Sequence, residues 1–208
     1  HYAQNYKSCI VSCMAIRDRT DLRHRLAQLA RHQSGYFTAA QALAVGHSYA
    51  SQRYHVERGN WIRVDRGIFR LREWPVGEHE DLVRWSLWAG NDAVVSHDTA
   101  LSFYDLGDAN PARVHLTVPK GFRRSAPGVE LHIGAVKPDD VRHGEGFRVT
   151  TPVRSLLDAA ASEMDADQLG TAIADAERRG LASGSALRSR ADGHGPRAAL
   201  RIERALAR

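Results

Sequence analysis

Between Ser48 and Arg66 the chain gathers side chains of the kind that read nucleic acid. Ser48, Tyr49, Ser51, Gln52, Arg53 and Tyr54 fall in one run, and Arg58, Arg63 and Arg66 follow at short intervals. Hydroxyl and amide groups address base edges, while guanidinium groups bond guanine bidentately or neutralise phosphates. On a helix these six residues would lie toward the N-terminal end, the part that enters the major groove in a helix-turn-helix protein. Arg63 and Arg66 would then reach phosphates or the minor groove, and Arg58 adds a further phosphate contact. A second constellation, His79, His97-Asp98 and Asp158, follows the H, HD, D order of metal-dependent phosphohydrolases. Those enzymes are nearly all helical around the metal, whereas a sheet is predicted between His97-Asp98 and Asp158, and His97-Asp98 reads more simply as the start of a helix. No GxxxxGK[ST] loop, GxSxG elbow or Cys/His cluster is present, so no cofactor or metal is expected and catalysis is disfavoured without being closed.

The elements that must position the first group can be read from their boundary residues. Thr38 can accept from the amide of Gln41, and Gln41 can reach back to the amide of Thr38, which makes Thr38 an N-cap. Ala42 and Gly46, four apart, supply the small residue at a helix crossing and the residue tolerant of positive φ at the turn. Ser48 caps the next helix, which runs to Arg58 and stops at Gly59 and Asn60. Trp61–Val64 and Ile68–Leu71 are β-type runs flanking Asp65, Arg66 and Gly67, a hairpin that forms a wing. Leu22, Leu26, Leu29 and Ala30 recur at helical spacing and give a preceding helix, with Asp18, Thr20 or Asp21 as its cap. The expected fold class is therefore α+β, opening with a winged helix-turn-helix. Gln52 and His55 occupy places where such a recognition helix ordinarily keeps an aliphatic residue. The residues alone leave its rotation open, since Gln52, Tyr54 and Val56 could equally hold the helix against the hairpin.

Composition is consistent with this reading. The chain has 208 residues, 43% hydrophobic and 25% charged, enough for one large domain or two small ones. Residues 15–75 hold eleven arginines against five acidic residues, whereas residues 76–208 hold 17 basic against 19 acidic. The positive charge thus sits with the helix-turn-helix, as contact with a polyanion requires. No apolar run approaches the roughly 20 residues that cross a bilayer, and no signal peptide opens the chain, so a cytoplasmic location is expected. Cys9 and Cys13 lie in a leading segment, residues 1–14, expected to be a poorly ordered or non-native tail. They suggest neither a disulfide framework nor a metal site, and Met14 is a candidate translation start.

Trp74-Pro75-Val76-Gly77 breaks the wing strand, which divides the chain into a DNA-binding domain at 15–75 and a second domain at 76–208. In the second, Glu78–Gly90 reads as a helix, Ala93–Val95 as a buried strand and His97–Leu106 as a helix ended by Gly107. Val114–Val118, Val129–Ile133 and Phe147–Thr150 should form a small sheet. Pro119–Arg124 is expected as an exposed basic hairpin tip, either a second nucleic-acid contact or a solvated loop. Thr151-Pro152 opens a helix on which Arg154 and Asp158 can pair one turn apart, and Asp165 with Gln168 resembles a capping box for a helix ending at Gly180. Arg197–Arg208 is helical, with Ala199, Ile202 and Leu206 on a stripe expected to pack on its own domain.

These residues in this order resemble the AbiEi family of antitoxins, partners of nucleotidyltransferase-like toxins in bacterial toxin-antitoxin pairs. The resemblance covers about residues 20–185. It rests on Arg58-Gly59-Asn60-Trp61 and Arg66-Gly67-Ile68-Phe69-Arg70-Leu71 in the first domain. In the second it rests on Val95-Ser96-His97-Asp98-Thr99-Ala100-Leu101, Val114-His115-Leu116-Thr117-Val118-Pro119 and Thr151-Pro152-Val153-Arg154-Ser155-Leu156-Leu157-Asp158. It implies a bifunctional protein, with an N-terminal domain that binds operator DNA and represses its own operon and a C-terminal domain that neutralises the cognate toxin. Arg154 and Asp158 carry over as structural residues only. The toxin-binding surface, the operator sequence and the oligomeric state are not legible. Whether the toxin is held, outcompeted or covalently modified also stays open, as does a stand-alone regulator with a ligand-sensing or dimerising second domain.

Overall fold

Thr38 is both the last residue of a strand and the N-cap of a helix, and the first unit of the fold is built on that junction. In the computed structural model, which describes residues 20–90 and 92–207, the Thr38 hydroxyl accepts from the Gln41 amide at 3.1 Å. The Gln41 side chain accepts from the Thr38 amide at 2.8 Å, completing the reciprocal cap. Helix α1 spans residues 20–31; then come β1 (Tyr36–Thr38), α2 (Ala39–Val45), α3 (Tyr49–Glu57), β2 (Trp61–Asp65) and β3 (Ile68–Leu71). The wing is three-stranded, in the order β1-β3-β2 and antiparallel throughout, whereas only β2 and β3 were expected. Leu26, Ala30, Phe37, Ala42, Trp61, Phe69 and Leu71 form its core, in which Phe37 meets Trp61 edge-on at 4.9 Å.

Gly46 makes the turn between α2 and α3 possible. Its φ of 116° is open to glycine, and a Cβ there would lie 2.7 Å from Leu22. The stretch from Trp74 to Gly77 is irregular, as anticipated, and leads into α4 (Glu80–Ala89). Thr20 and Asp21 already lie inside α1, and the expectations about Cys9, Cys13, Met14, Asp18 and the tail 1–14 fall outside the described residues.

The chain divides into two compact units within α4, the first ending at Leu87 and the second beginning at Trp88. The second continues with β4 (Val94–Val95), α5 (His97–Phe103), β5 (Val114–Val118), β6 (Val129–Ile133), β7 (Val141–His143) and β8 (Arg148–Thr150). Helices α6 (Pro152–Ala161), α7 (Ala166–Arg178), α8 (Gly184–Ala191) and α9 (Pro196–Leu206) complete it. The sheet runs β6-β5-β4-β8-β7 and is mixed, with β5–β6 and β4–β8 parallel. Pro119–Arg124 is therefore not a hairpin tip, because parallel neighbours need a return connection rather than a tight turn. That connection is anchored: the Arg124 guanidinium lies over the Trp88 ring at 4.6 Å and donates to the Trp88 carbonyl, while Lys120 and Arg123 stay exposed.

Leu101, Leu106, Leu156, Leu157, Leu169, Ile173, Leu187 and Ile202 share one core, so α9 packs on its own unit, as the stripe predicts. Beside that core lies a buried ionic network. Arg154 donates to Asp158 at 2.8 Å and to Asp140 at 3.5 Å, and Arg190 closes on the other oxygen of Asp140. Burial raises the Asp158 carboxyl above its ordinary pKa, with the neighbouring guanidinium of Arg154 pulling the other way. Removing one partner leaves buried charge without compensation. Arg154→Ala is therefore expected to cost about 3 kcal/mol, read as a lower urea midpoint for the second unit; an unchanged midpoint would show that the network is not needed for stability.

Candidate nucleic-acid interface

The rotation of α3 is set by one buried amide. Gln52 is 3% exposed, and its nitrogen donates to the carbonyls of His47 at 3.0 Å and Ala39 at 3.1 Å, tying α3 to the turn before it and to the start of α2. Gln52 was expected on the base-reading face; it points inward instead, its amide spent on these two carbonyls. His55 is turned in as well, its ring stacked on Trp61 at 4.7 Å and bonded to the Asn60 amide at 3.1 Å. His47, only 4% exposed, meets the edges of both rings. Val56 is half-buried against the same core.

With Gln52 inward, Tyr49, Ala50, Arg53 and Tyr54 face outward, Tyr49 being 70% and Tyr54 52% exposed. The Arg53 side chain is 80% exposed and makes an ion pair with Glu57 at 3.2 Å, an exposed contact worth little and readily exchanged for a phosphate or base. Ser48 is exposed, but its hydroxyl accepts from the Ser51 amide at 3.2 Å as the helix cap. Ser51 is half-buried, with its hydroxyl 3.1 Å from His47. These two serines thus shape the helix start more than they face outward. Arg58 is exposed beside Tyr54, its guanidinium 5.4 Å from the ring centre. The first turn of α3 carries no acidic residue, so its amide-rich end keeps its positive potential.

The hairpin supplies the other two arginines. Arg63 is exposed on β2, with its guanidinium over the Phe69 ring at 5.6 Å. Arg66 sits at the exposed tip, where its amide donates to Asp65 at 2.6 Å and Gly67 takes φ 73°. The tip is bound to the helices by a hydrogen bond from the Ala39 amide to the Gly67 carbonyl at 2.8 Å. Burial lowers the pKa of His47 and His55, so near neutral pH the face owes its charge to arginine. The supporting pair His47 and Trp61 was missed as a unit. Its sequence signal is three aromatic rings at 47, 55 and 61 around a helix with few aliphatic residues.

The phosphohydrolase constellation does not assemble. Asp158 is committed to Arg154. His97, at φ 51°, stacks on His132 at 3.4 Å and bonds Ser96 at 2.9 Å, while His132 lies 3.2 Å from a ring nitrogen of His115. Among the described residues no group of three or more His, Cys, Asp or Glu is arranged to hold a metal ion. Desolvation lowers all three imidazoles, His97 to about 2 and His132 to about 4.

Comparison with known proteins gives three results. Residues 24–72 match the family described as "Transcriptional regulator, AbiEi antitoxin". The fold resembles the crystal structure of the RV2827C protein from Mycobacterium tuberculosis, with a TM-score of 0.58 and 13% identity over 90% of this chain and 76% of that one. No curated protein sequence matches. The structural likeness, at this identity, speaks to fold alone.

Two outcomes follow from this geometry. Gln52→Leu, similar in volume, removes both hydrogen bonds and should lower the stability of the first unit by about 1–3 kcal/mol, read by denaturant unfolding; no loss would mean that the amide is not needed to hold α3. The histidine cluster binds protons less readily folded than unfolded, so the stability it provides is present above pH 6.5 and is lost as pH falls toward about 4. The second unit's melting temperature should thus drop between pH 7 and about 5, and His132→Phe, which keeps a ring on His97 but cannot titrate, should flatten that slope.

Proposed function

The chain carries the AbiEi antitoxin family's transcriptional-regulator segment, and on that premise we propose that it represses its own operon by binding operator DNA through its first unit. It also neutralises a nucleotidyltransferase-like toxin through its second. The observation that carries the DNA half is the single outward stripe of Tyr49, Ala50, Arg53 and Tyr54 on α3, flanked by Arg58, Arg63 and Arg66 and lying inside the matched segment. α3 enters the major groove, Arg53 reads a base edge, and the two tyrosines supply flat apolar contact and a hydroxyl each. Arg58, Arg63 and Arg66 neutralise phosphates and fix register on the duplex.

The toxin half is supported by the family's description as an antitoxin; the matched residues themselves lie in the first unit. No helix among the described residues is long and apolar enough to cross a membrane, and the reading places the protein in the cytoplasm with the DNA. A stand-alone regulator differs from this reading in one respect, the absence of a toxin partner. Co-expression with the product of the adjacent reading frame separates the two: co-purification and relief of growth arrest support the antitoxin, and their absence leaves the regulator alone.

For DNA, the full chain should bind a fragment from upstream of its own gene with an affinity that falls steeply with salt. Arg66→Ala and Arg63→Ala should weaken binding to all sequences and reduce the log–log salt slope by about 0.9 each. Arg53→Ala should cost about 1–3 kcal/mol on the operator and relax its discrimination against non-specific DNA. Fluorescence anisotropy across a salt series measures both. Unchanged slopes and unchanged discrimination in all three variants would refute this placement of the interface.

A further inference from the structure

The second unit's sheet has two edges of different character. At one end β7 is three residues long and carries exposed Arg142 and His143, the short and charged design that discourages pairing with another chain. At the other end β6, Val129–Ile133, is five residues long and has no Lys, Arg or Pro. It finishes in Ile133, which is 60% exposed. Strand alternation puts Val129, Leu131 and Ile133 on one face, and Glu130 and His132 on the other. Glu130 lies opposite His115 of β5 and pairs with Arg113 at 3.0 Å, and His132 lies opposite Thr117.

The pattern of β6 is self-complementary. Laid antiparallel against a copy of itself and centred on Leu131, it sets Val129 against Ile133, Leu131 against Leu131, and the carboxylate of Glu130 against the imidazole of His132. The opposed apolar residues match in kind, and neither of the other two positions sets like charges against each other. A slip of one residue would set Glu130 against Leu131 and Val129 against His132, losing every apolar match. We propose that a second copy of this chain pairs along β6 in this register, joining two five-stranded sheets into one across a two-fold axis at Leu131. Such a contact is isologous, so it closes at two copies and leaves the charged β7 edges outermost. A ladder of five residues per strand falls short of the roughly 1,000 Å² that a permanent interface clears, so the dimer is weak and concentration-dependent. The proposal is independent of the DNA and toxin readings, because it uses neither α3 nor an adjacent gene product.

Sedimentation velocity of the full chain tests it. The weight-average mass should climb from that of one chain toward twice that value as concentration rises. Ile133→Lys, which sets an ammonium against the partner's Val129, should shift the transition at least tenfold higher in concentration while leaving the melting temperature unchanged. Crosslinking tests the register in a Cys9→Ser, Cys13→Ser background. Leu131→Cys should form a disulfide with its own copy, since opposed Cα atoms about 4.5–5.5 Å apart suit that bond. Val129→Cys and Ile133→Cys should crosslink efficiently only when the two variants are mixed. A chain that stays monomeric with no Leu131→Cys crosslink overturns the proposal. So does a dimer that Ile133→Lys leaves intact, which puts the contact elsewhere. Protection of β6 by the adjacent gene product in a chain that forms no dimer would assign the edge to a different partner.

Discussion

The two hydrogen bonds from the Gln52 amide, to Ala39 and His47, are the constraint on which the outward face of α3 depends. A helix with few aliphatic residues has little hydrophobic preference for one rotation, and α3 alternates Tyr, Ala, Ser, Gln, Arg and His with no apolar stripe of normal width. The amide replaces that preference with a directional one. It satisfies two carbonyls at the point where α2, the turn and α3 meet, and the stack of His55 on Trp61 then holds the helix from the other side. Tyr49, Arg53 and Tyr54 face outward as a consequence.

The second unit solves a comparable problem with charge. Asp140 precedes β7, Arg154 and Asp158 lie on α6, and Arg190 lies on α8, so three stretches far apart in the chain meet over two carboxylates. Such a network gains little over apolar packing in net stability, but it tolerates few alternative arrangements, because each mispaired charge would remain buried. It also explains how α8, with only Leu187 and Ala191 fully buried, keeps its place between two longer helices.

Elements announced by local chemistry were legible in the sequence. The Thr38–Gln41 cap, the Gly46 turn, the hairpin closed by Gly67 with Asp65 belonging to β2 rather than to the loop, and β5 and β6 to the residue all declare themselves within a few positions. What was not legible depends on partners distant in sequence. β1 and β7 are three residues each, too short for alternation to register, and exist because β3 and β8 offer free edges. The parallel pairing of β5 and β6 looks from sequence like a hairpin, since strand direction leaves no mark on side-chain pattern. At the candidate interface, the arginines and tyrosines were visible as a group. The inward turn of Gln52 was not, because nothing local to residue 52 says that two carbonyls await it.

The junction at Thr38 has an implication for how the outward surface of α3 can change. Thr38 pairs with Ile68 in the wing sheet while capping α2, and the next amide, that of Ala39, closes on Gly67 at the wing tip. Wing and helices therefore share one hydrogen-bonded junction, so that moving either disturbs the bonds that hold the other. On the proposed reading, altered sequence preference comes most directly from exchanging the side chains at positions 49, 50, 53 and 54. A lineage, or a designer, could rewrite those four exposed positions and leave the junction intact.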